Sequence, residues 1–252
     1  MTSRPAVGVG PWEGDRPQDA DGSLPSHLDP DLLRDGDTRN VVDRYRYWRH
    51  EAIVADLDTR RHEVHVAVEN WEHDFNIGSV VRTANAFNVA AFHIVGRRRW
   101  NRRGAMVTDR YQHEHHHPDV AGLGAWAQER RLPLLGVDNV PGSRPLEDFP
   151  LPRGCILLLG QEGPGLSPEA VAACEDVLAI TSTAPPARST RGRRPRSSST
   201  TGRSSTPGEP ERMSPMLRRL TSEMSMTVTA PGWPRSGPRS PSRWTGRRRA
   251  SR

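Results

Sequence analysis

Hydrophobic residues in this chain gather in short runs between residues 39 and 182 and thin out on either side. Over residues 40–57, Val41, Val42, Tyr45, Trp48, Ile53, Val54 and Leu57 recur near helical spacing, which predicts a helix. Residues 62–69 read as a strand, and 91–95 as a second one. Between them, 76–88 reads as a helix with Val80, Val81, Ala84 and Phe87 on one face. Residues 120–130 are again helical, and 132–137 and 155–159 are unbroken apolar runs of strand length. Ser167 and Pro168 open a further helix as N-cap and first-turn proline, with Glu169 behind them. Residues 177–180 form a last short strand. Strand and helix alternate, and the strands are apolar runs rather than in–out alternations. That pattern predicts an α/β fold, a mostly parallel sheet with helices on both faces. Ligands on such sheets bind beyond the carboxyl ends of the strands. The loops after Glu69, Val95, Val137, Leu159 and Ile180 are therefore the places to look for chemistry.

Composition narrows the folded part. Pro and Gly supply 23 and 22 of the 252 residues, hydrophobic residues 34%, and mean hydropathy is −0.73. Such a mix argues against one fold throughout. Residues 1–38, rich in Pro, Gly and Asp, are expected to be a disordered lead. Residues 39–61 are expected to form a helical extension, and 62–182 the α/β domain. Residues 183–252, mostly Ser, Arg, Pro, Thr and Gly, read as a low-complexity tail. The net charge of +6 hides a division: −7 over residues 1–182 and +13 over 183–252. Every basic residue is arginine and none is lysine, which points to a GC-rich coding sequence before it points to nucleic acid. No run of eighteen apolar residues predicts a membrane span, and residues 1–10 hold no signal-peptide core. Two cysteines, Cys155 and Cys174, make no disulfide framework or metal set. A cytoplasmic address is the default expectation.

Two loops carry unusual residues. After Glu69 the chain runs through Asn76, Gly78, Arg82 and Thr83 into the second helix. Asn76 can cap that helix, Gly78 admits a close backbone or a ligand, and Arg82 falls opposite Val80 and Ala84. A capped helix with a solvated arginine would have the same sequence. After Leu159 come Gly160, Gln161, Glu162, Gly163, Pro164, Gly165, Leu166 and Ser167. Backbone N–H groups in such a bend could hold an adenine, a carboxylate or a ribose, or simply make a tight turn. It has neither the dinucleotide-binding glycine spacing nor the lysine of a phosphate loop.

Taken together, N-x-G-x-x-x-R-T at residues 76–83 and L-G-x-E-G-x-G-L-S at 159–167 resemble the first two motifs of the SpoU (TrmH-type) RNA ribose 2′-O-methyltransferases of the SPOUT superfamily. The resemblance covers residues 40–180. It implies an S-adenosylmethionine cofactor held in a C-terminal trefoil knot, a homodimer, and transfer of methyl to a ribose 2′-hydroxyl of structured tRNA or rRNA. It places Asn76, Arg82 and Glu162 on the catalytic side. It lines the cofactor with Leu159, Gly160, Glu162, Gly163, Gly165 and Ile180. In-line positioning of an already activated methyl group supplies much of the rate in such chemistry. A guanidinium is too weak an acid to act as an ordinary base, so Arg82 is expected to orient the hydroxyl and clamp phosphate. Arg97, Arg98, Arg99, Trp100, Arg102 and Arg103, an arginine loop around one tryptophan in an otherwise acidic region, are expected to join Arg82 in binding RNA. A solvated basic loop is the bland alternative. His113, His115, His116 and His117 lack the companions of a metal site, and none is expected. Neither a membrane nor DNA is expected as a partner.

The family's third motif, a serine–asparagine segment and an Ala-rich helix after the last strand, is absent after Ile180. Shifting the reading frame of residues 182–191 by one base permits a string of the form Q-Y-G-S-T-R-S-I-N-A, which has the character of that motif. A frameshift near Thr181 would account for the tail. An incomplete knot, weak cofactor binding and impaired activity are then expected of this chain. Two rivals differ in kind. One is a non-catalytic RNA-binding protein that uses the 97–103 loop and the basic tail. The other is a nucleotide-binding α/β protein, which would need a phosphate loop the sequence lacks.

Overall fold

The computed structural model describes residues 8–71, 77–161 and 164–180. Their elements, in chain order, are α1 (Pro30–Asp35), α2 (His50–Asp58), β1 (His62–Asn70), α3 (Ile77–Ala86), β2 (Val89–Gly96) and β3 (Glu114–His117). There follow α4 (Val120–Arg130), β4 (Leu134–Val137), β5 (Arg144–Pro145), β6 (Cys155–Leu159), α5 (Pro168–Ala173) and β7 (Asp176–Ala179). The strands form one seven-stranded sheet in the order β3-β2-β1-β6-β4-β7-β5, and every pairing is parallel. Val, Ile and Leu fill the central strands because helices bury both faces. On one face α3 packs Ile77, Val80, Val81 and Ala84 against Val64, Val66 and Val68. On the other, α4 and α5 pack Leu123, Ala127 and Ala170 against Ala67, Ile156 and Leu158. The α/β class and parallel sheet expected from the apolar runs are what the chain forms. Among the described residues no helix is long and apolar enough to cross a membrane.

Residues 8–38, expected to be disordered, are folded. Asp29 caps α1, accepting from the N–H groups of Asp31 and Leu32, and Val9 bridges Asp37. The organising group is polar. Asp37 is fully buried and receives Arg39 through two side-chain hydrogen bonds of 2.9 and 2.7 Å, along with the backbone N–H groups of Arg39 and Tyr47. Burial works against its charge, but these hydrogen bonds outweigh it and hold the carboxyl at about 2. A composition argument counts apolar side chains and so overlooks a segment ordered around a buried carboxylate. The helix expected over 40–57 is also interrupted. A short 3-10 turn at Asp43–Tyr45 is followed by Tyr47 with φ of +62°, and only then does α2 begin.

His115, His116 and His117 belong to the edge strand β3. Only His117 of this strand is buried, and ring nitrogens pair from it across three strands. His65 Nδ1 lies 3.0 Å from His93 Nε2, and His93 Nδ1 lies 3.0 Å from His117 Nε2. His93 is fully buried, and Trp126 of α4 packs edge-on against it. Among the described residues no group of three or more His, Cys, Asp or Glu side chains is arranged to hold a metal ion.

Candidate active site

β6 lies between β1 and β4, and Leu159 is level with Val68 on one side and Val137 on the other. The bend that follows is closed on itself: Gln161 and Gly165 exchange backbone hydrogen bonds of 3.0 Å in both directions. A Cβ on Gly160 would stand 2.1 Å from the carbonyl carbon of Gly165, so the turn requires glycine there. Gly165 has φ of +78°, and a Cβ on it would meet Asp138 Oδ2 at 2.3 Å.

Both neighbouring strands hold the exit from this bend with a carboxylate. The Leu166 N–H donates to Asp138, just beyond β4, at 2.7 Å. The Ser167 N–H donates to Glu69 Oε2 at 2.8 Å, and its hydroxyl donates to Glu69 Oε1 at 2.7 Å. Trp71 Nε1 donates to the same Oε1 at 2.7 Å. Glu69 is fully buried at the end of β1. One carboxylate thus ties the start of the first motif loop to the end of the second. Ser167 also caps α5, accepting from the Ala170 N–H at 3.1 Å.

The first loop delivers the chain into α3. Gly78 admits a backbone: a Cβ there would stand 2.5 Å from Gly104 Cα. Arg82 is exposed. It shares a helix stripe with Gly78, four residues before it, and Asn85, three residues after. Asn85 in turn accepts from Gln112 Nε2 at 3.2 Å. Arg82 therefore stands alongside the 104–112 segment.

The arginine loop is pinned by Asn70, 2% exposed, whose Nδ2 donates to the carbonyls of Arg97 at 2.6 Å and Arg99 at 3.1 Å. Arg97, Arg98, Arg99 and Arg103 are exposed. Trp100 is half-buried, edge-on to Phe92 with ring centroids 6.3 Å apart, and Arg102 lies 4.8 Å over its ring. Arg102 is itself paired with Asp109 at 2.8 Å and Glu114 at 2.9 Å. Four arginines are thus presented to solvent, while Trp100 and Arg102 fasten the loop to the fold.

Of the residues singled out from sequence, Asn76, Glu162 and Gly163 lie outside the described residues, as does the tail from 181 on. Leu159 is buried, Gly160 and Gly165 form the bend, and Ile180 packs on the core just past β7. Sequence reading gave no weight to Glu69, Asn70 and Asp138. Glu69 and Asp138 directly follow apolar runs and Asn70 follows Glu69, positions where a polar residue ordinarily marks the return to solvent.

No curated protein matches this chain. Among solved structures it is similar to the A. aeolicus TrmH/SpoU tRNA modifying enzyme, with 17% identity over 54% of this chain and 71% of that one and a TM-score of 0.47. It is similar to the SpoU methyltransferase AviRb from Streptomyces viridochromogenes in complex with AdoMet, with 21% identity over 54% and 57% and a TM-score of 0.45. A third is an AdoMet-bound rRNA methyltransferase from Sinorhizobium meliloti, with 19% identity over 55% and 54% and a TM-score of 0.44. The chain spans little more than half the length of the latter two. The sequence model of the SpoU rRNA Methylase family matches residues 63–189, half of the chain, and the chain belongs to that family.

Proposed function

We propose that this protein is built to transfer a methyl group from S-adenosylmethionine to a ribose 2′-hydroxyl of structured tRNA or rRNA, as a homodimer in the cytoplasm. The observation that carries the reading is the joining of two motif loops at neighbouring strand ends. Trp71 of the first and Ser167 of the second meet on the buried Glu69 carboxylate. The residues fit the cofactor. Gln161 and Gly165 close the bend on each other, and Asp138 and Glu69 hold its exit through the Leu166 and Ser167 N–H groups, so the turn is set before a ligand arrives. Bound S-adenosylmethionine would supply an activated methyl group. Leu159, Gly160, Gly165 and Ile180 form the described part of its cradle, with Glu162 and Gly163 completing it by motif. Arg82 orients the hydroxyl and neutralises a phosphate, and Asn76 is assigned to the same catalytic role by motif alone. Arg97, Arg98, Arg99 and Arg103 hold the RNA backbone.

The family match ends at residue 189 and the low-complexity tail runs on to 252, so we expect this chain to bind cofactor weakly and a frame-restored chain to bind it well. The test is transfer of tritiated methyl to bulk tRNA and to ribosomal RNA, read as alkali-resistant dinucleotides, with both chains. Transfer by the frame-restored chain, lost at least about 100-fold in Arg82→Ala, supports the reading. No transfer by the frame-restored chain sinks it, and micromolar cofactor binding by the present chain sinks the account of the tail. The second reading, a non-catalytic RNA-binding protein, is favoured by the four exposed arginines. It predicts RNA affinity that Arg82→Ala leaves unchanged.

A further inference from the structure

Between the arginine loop and β3 the backbone makes a turn that its residues do not suit. Met106 has φ 52° and ψ 39°, and Val107 has φ 73° and ψ −1°. These are close to the angles of a type I′ turn, about +60°, +30° and +90°, 0°. That turn calls for Asn-Gly, because both central residues are left-handed. A β-branched residue with positive φ is strained, and Val107 has no local polar group to offset the strain. The turn is gripped on both sides. Gly104 is wedged against Gly78, Ala105 is fully buried, and the Thr108 hydroxyl donates to the Ala105 carbonyl at 2.7 Å.

Both side chains also face water: Met106 is 60% exposed and Val107 52%. The turn does not gain from them, since Asn-Gly would relax the backbone, and the core gains little from side chains that are more than half exposed. Strained residues that the surroundings hold in place concentrate at functional sites. The surroundings here are cationic. Arg103 and Arg110 flank the turn in sequence and are exposed, and Arg82 stands alongside on α3. Asp109 is occupied by Arg102.

We propose that Met106 and Val107 form an apolar finger that packs against an unstacked base of the RNA while the neighbouring arginines hold its phosphates. This rests on RNA as the substrate class proposed above and adds how that RNA is engaged: at a loop or bulge whose bases are free, not along a duplex. Apolar side chains inserted beside bases act this way in other nucleic-acid complexes, and free bases are what sequence-specific RNA recognition uses. A polyanion is the occupant that complements the arginine surroundings.

The test uses the full chain, a hairpin RNA with 2-aminopurine in its loop, and a perfect duplex of the same length. The variant is Met106→Asn/Val107→Gly, which leaves charge unchanged and suits the turn. Its affinity for the hairpin should fall roughly tenfold, the worth of one lost base contact. The 2-aminopurine response should be lost, while duplex affinity and the dependence on salt stay as in the parent. Its Tm should rise by about 3 °C as strain is relieved. Unchanged hairpin affinity would overturn the finger, and so would an equal loss on the duplex or a fall in Tm. A change in sedimentation without RNA would assign the finger to a second copy of the chain instead. Arg98→Ala is the electrostatic control, because it should weaken hairpin and duplex alike. A parent that binds neither RNA overturns the RNA reading itself. A parent that binds both, with a variant indistinguishable from it, overturns only the finger.

Discussion

Removing the Glu69 carboxylate should uncouple the two motif loops, and its cost can be worked from the contacts. Three donors converge on the group at 2.8, 2.7 and 2.7 Å, and none of its surface reaches solvent. Glu69→Ala strips the Ser167 N–H and the Trp71 indole N–H of their acceptor and leaves a void among them. Unsatisfied buried donors cost about 1–3 kcal/mol each, and breaking a buried charged network costs about 3–5 kcal/mol in all. Glu69→Gln keeps the shape. Its oxygen can still accept from the Ser167 hydroxyl and the indole, but its NH2 then faces the Ser167 N–H, donor to donor. The expected loss is about 1–3 kcal/mol. Trp71→Phe removes one donor and should cost about 1 kcal/mol, and Ser167→Ala, which removes a donor and the α5 cap, about 1–2 kcal/mol. Urea unfolding gives the order Ala, then Gln, then the single-donor variants. Hydrogen exchange should show the loss first at the amides of Leu166, Ser167 and Ala170. A Glu69→Ala protein within about 0.5 kcal/mol of the parent, or one whose extra exchange falls elsewhere, would refute the reasoning.

Other predictions follow from the close approaches and the buried titrating groups. Gly78→Ala should destabilise by about 2 kcal/mol or more, because its Cβ would stand 2.5 Å from the Gly104 backbone, and calorimetry checks it. Gly160→Ala should open the 161–165 bend, since the added Cβ falls 2.1 Å from Gly165, and loss of amide protection at Gly165 would report it. Burial, helped by the charges of His115 and Arg130, lowers His65 to about 4, and burial with the surrounding histidines and Arg130 lowers His93 to about 2. Their unfolded values are near 6.5, so between there and about 4 the unfolded chain binds more protons. Stability is full above 6.5 and falls as pH drops, by up to about 1.4 kcal/mol per pH unit for each group, and urea midpoints at pH 7.5 and 5 should differ accordingly. Against the cost of burial, hydrogen bonds from Arg39 and Tyr47 hold the Asp37 carboxyl at about 2, below the ordinary aspartate value near 3.8. The stability it contributes is present above pH 4 and lost as pH falls toward 2, and Asp37→Asn should flatten that limb of the pH curve.

The parts of the fold that were legible share a cause. Residues 120–130 and 155–159 were read as a helix and a strand from apolar spacing alone, and α4 and β6 have those bounds. Packing against one central sheet imposes that spacing, so the pattern is a direct record of burial. The 8–38 segment and β3 are ordered by polar groups, Asp37 with Arg39 in one case and paired histidine rings in the other. Hydrophobic period carries no trace of such order, because a buried polar side chain and a solvated one are the same letter. Tyr47 ends a helical pattern for a related reason: its N–H is taken by Asp37, a partner ten residues away.

The same blindness decides what could be read of the site. Gly160 and Gly165 announce a bend through residue type, since a Cβ at either position would collide. Glu69 and Asp138 announce nothing, because a carboxylate at the end of an apolar run ordinarily marks the chain leaving the core. In a parallel sheet, however, that position is also where neighbouring strands end level with one another. A carboxylate there can reach the backbone emerging from the next strand, as Glu69 reaches Ser167 and Asp138 reaches Leu166. The rule that polar residues after strands return to solvent therefore fails where two strand ends flank a third that carries a glycine bend. Neighbouring strands in space are not neighbours in sequence here: β1, β6 and β4 adjoin only through the sheet order. The carboxylate clamp is thus a property of topology, and the glycine bend it holds is a property of the local chain.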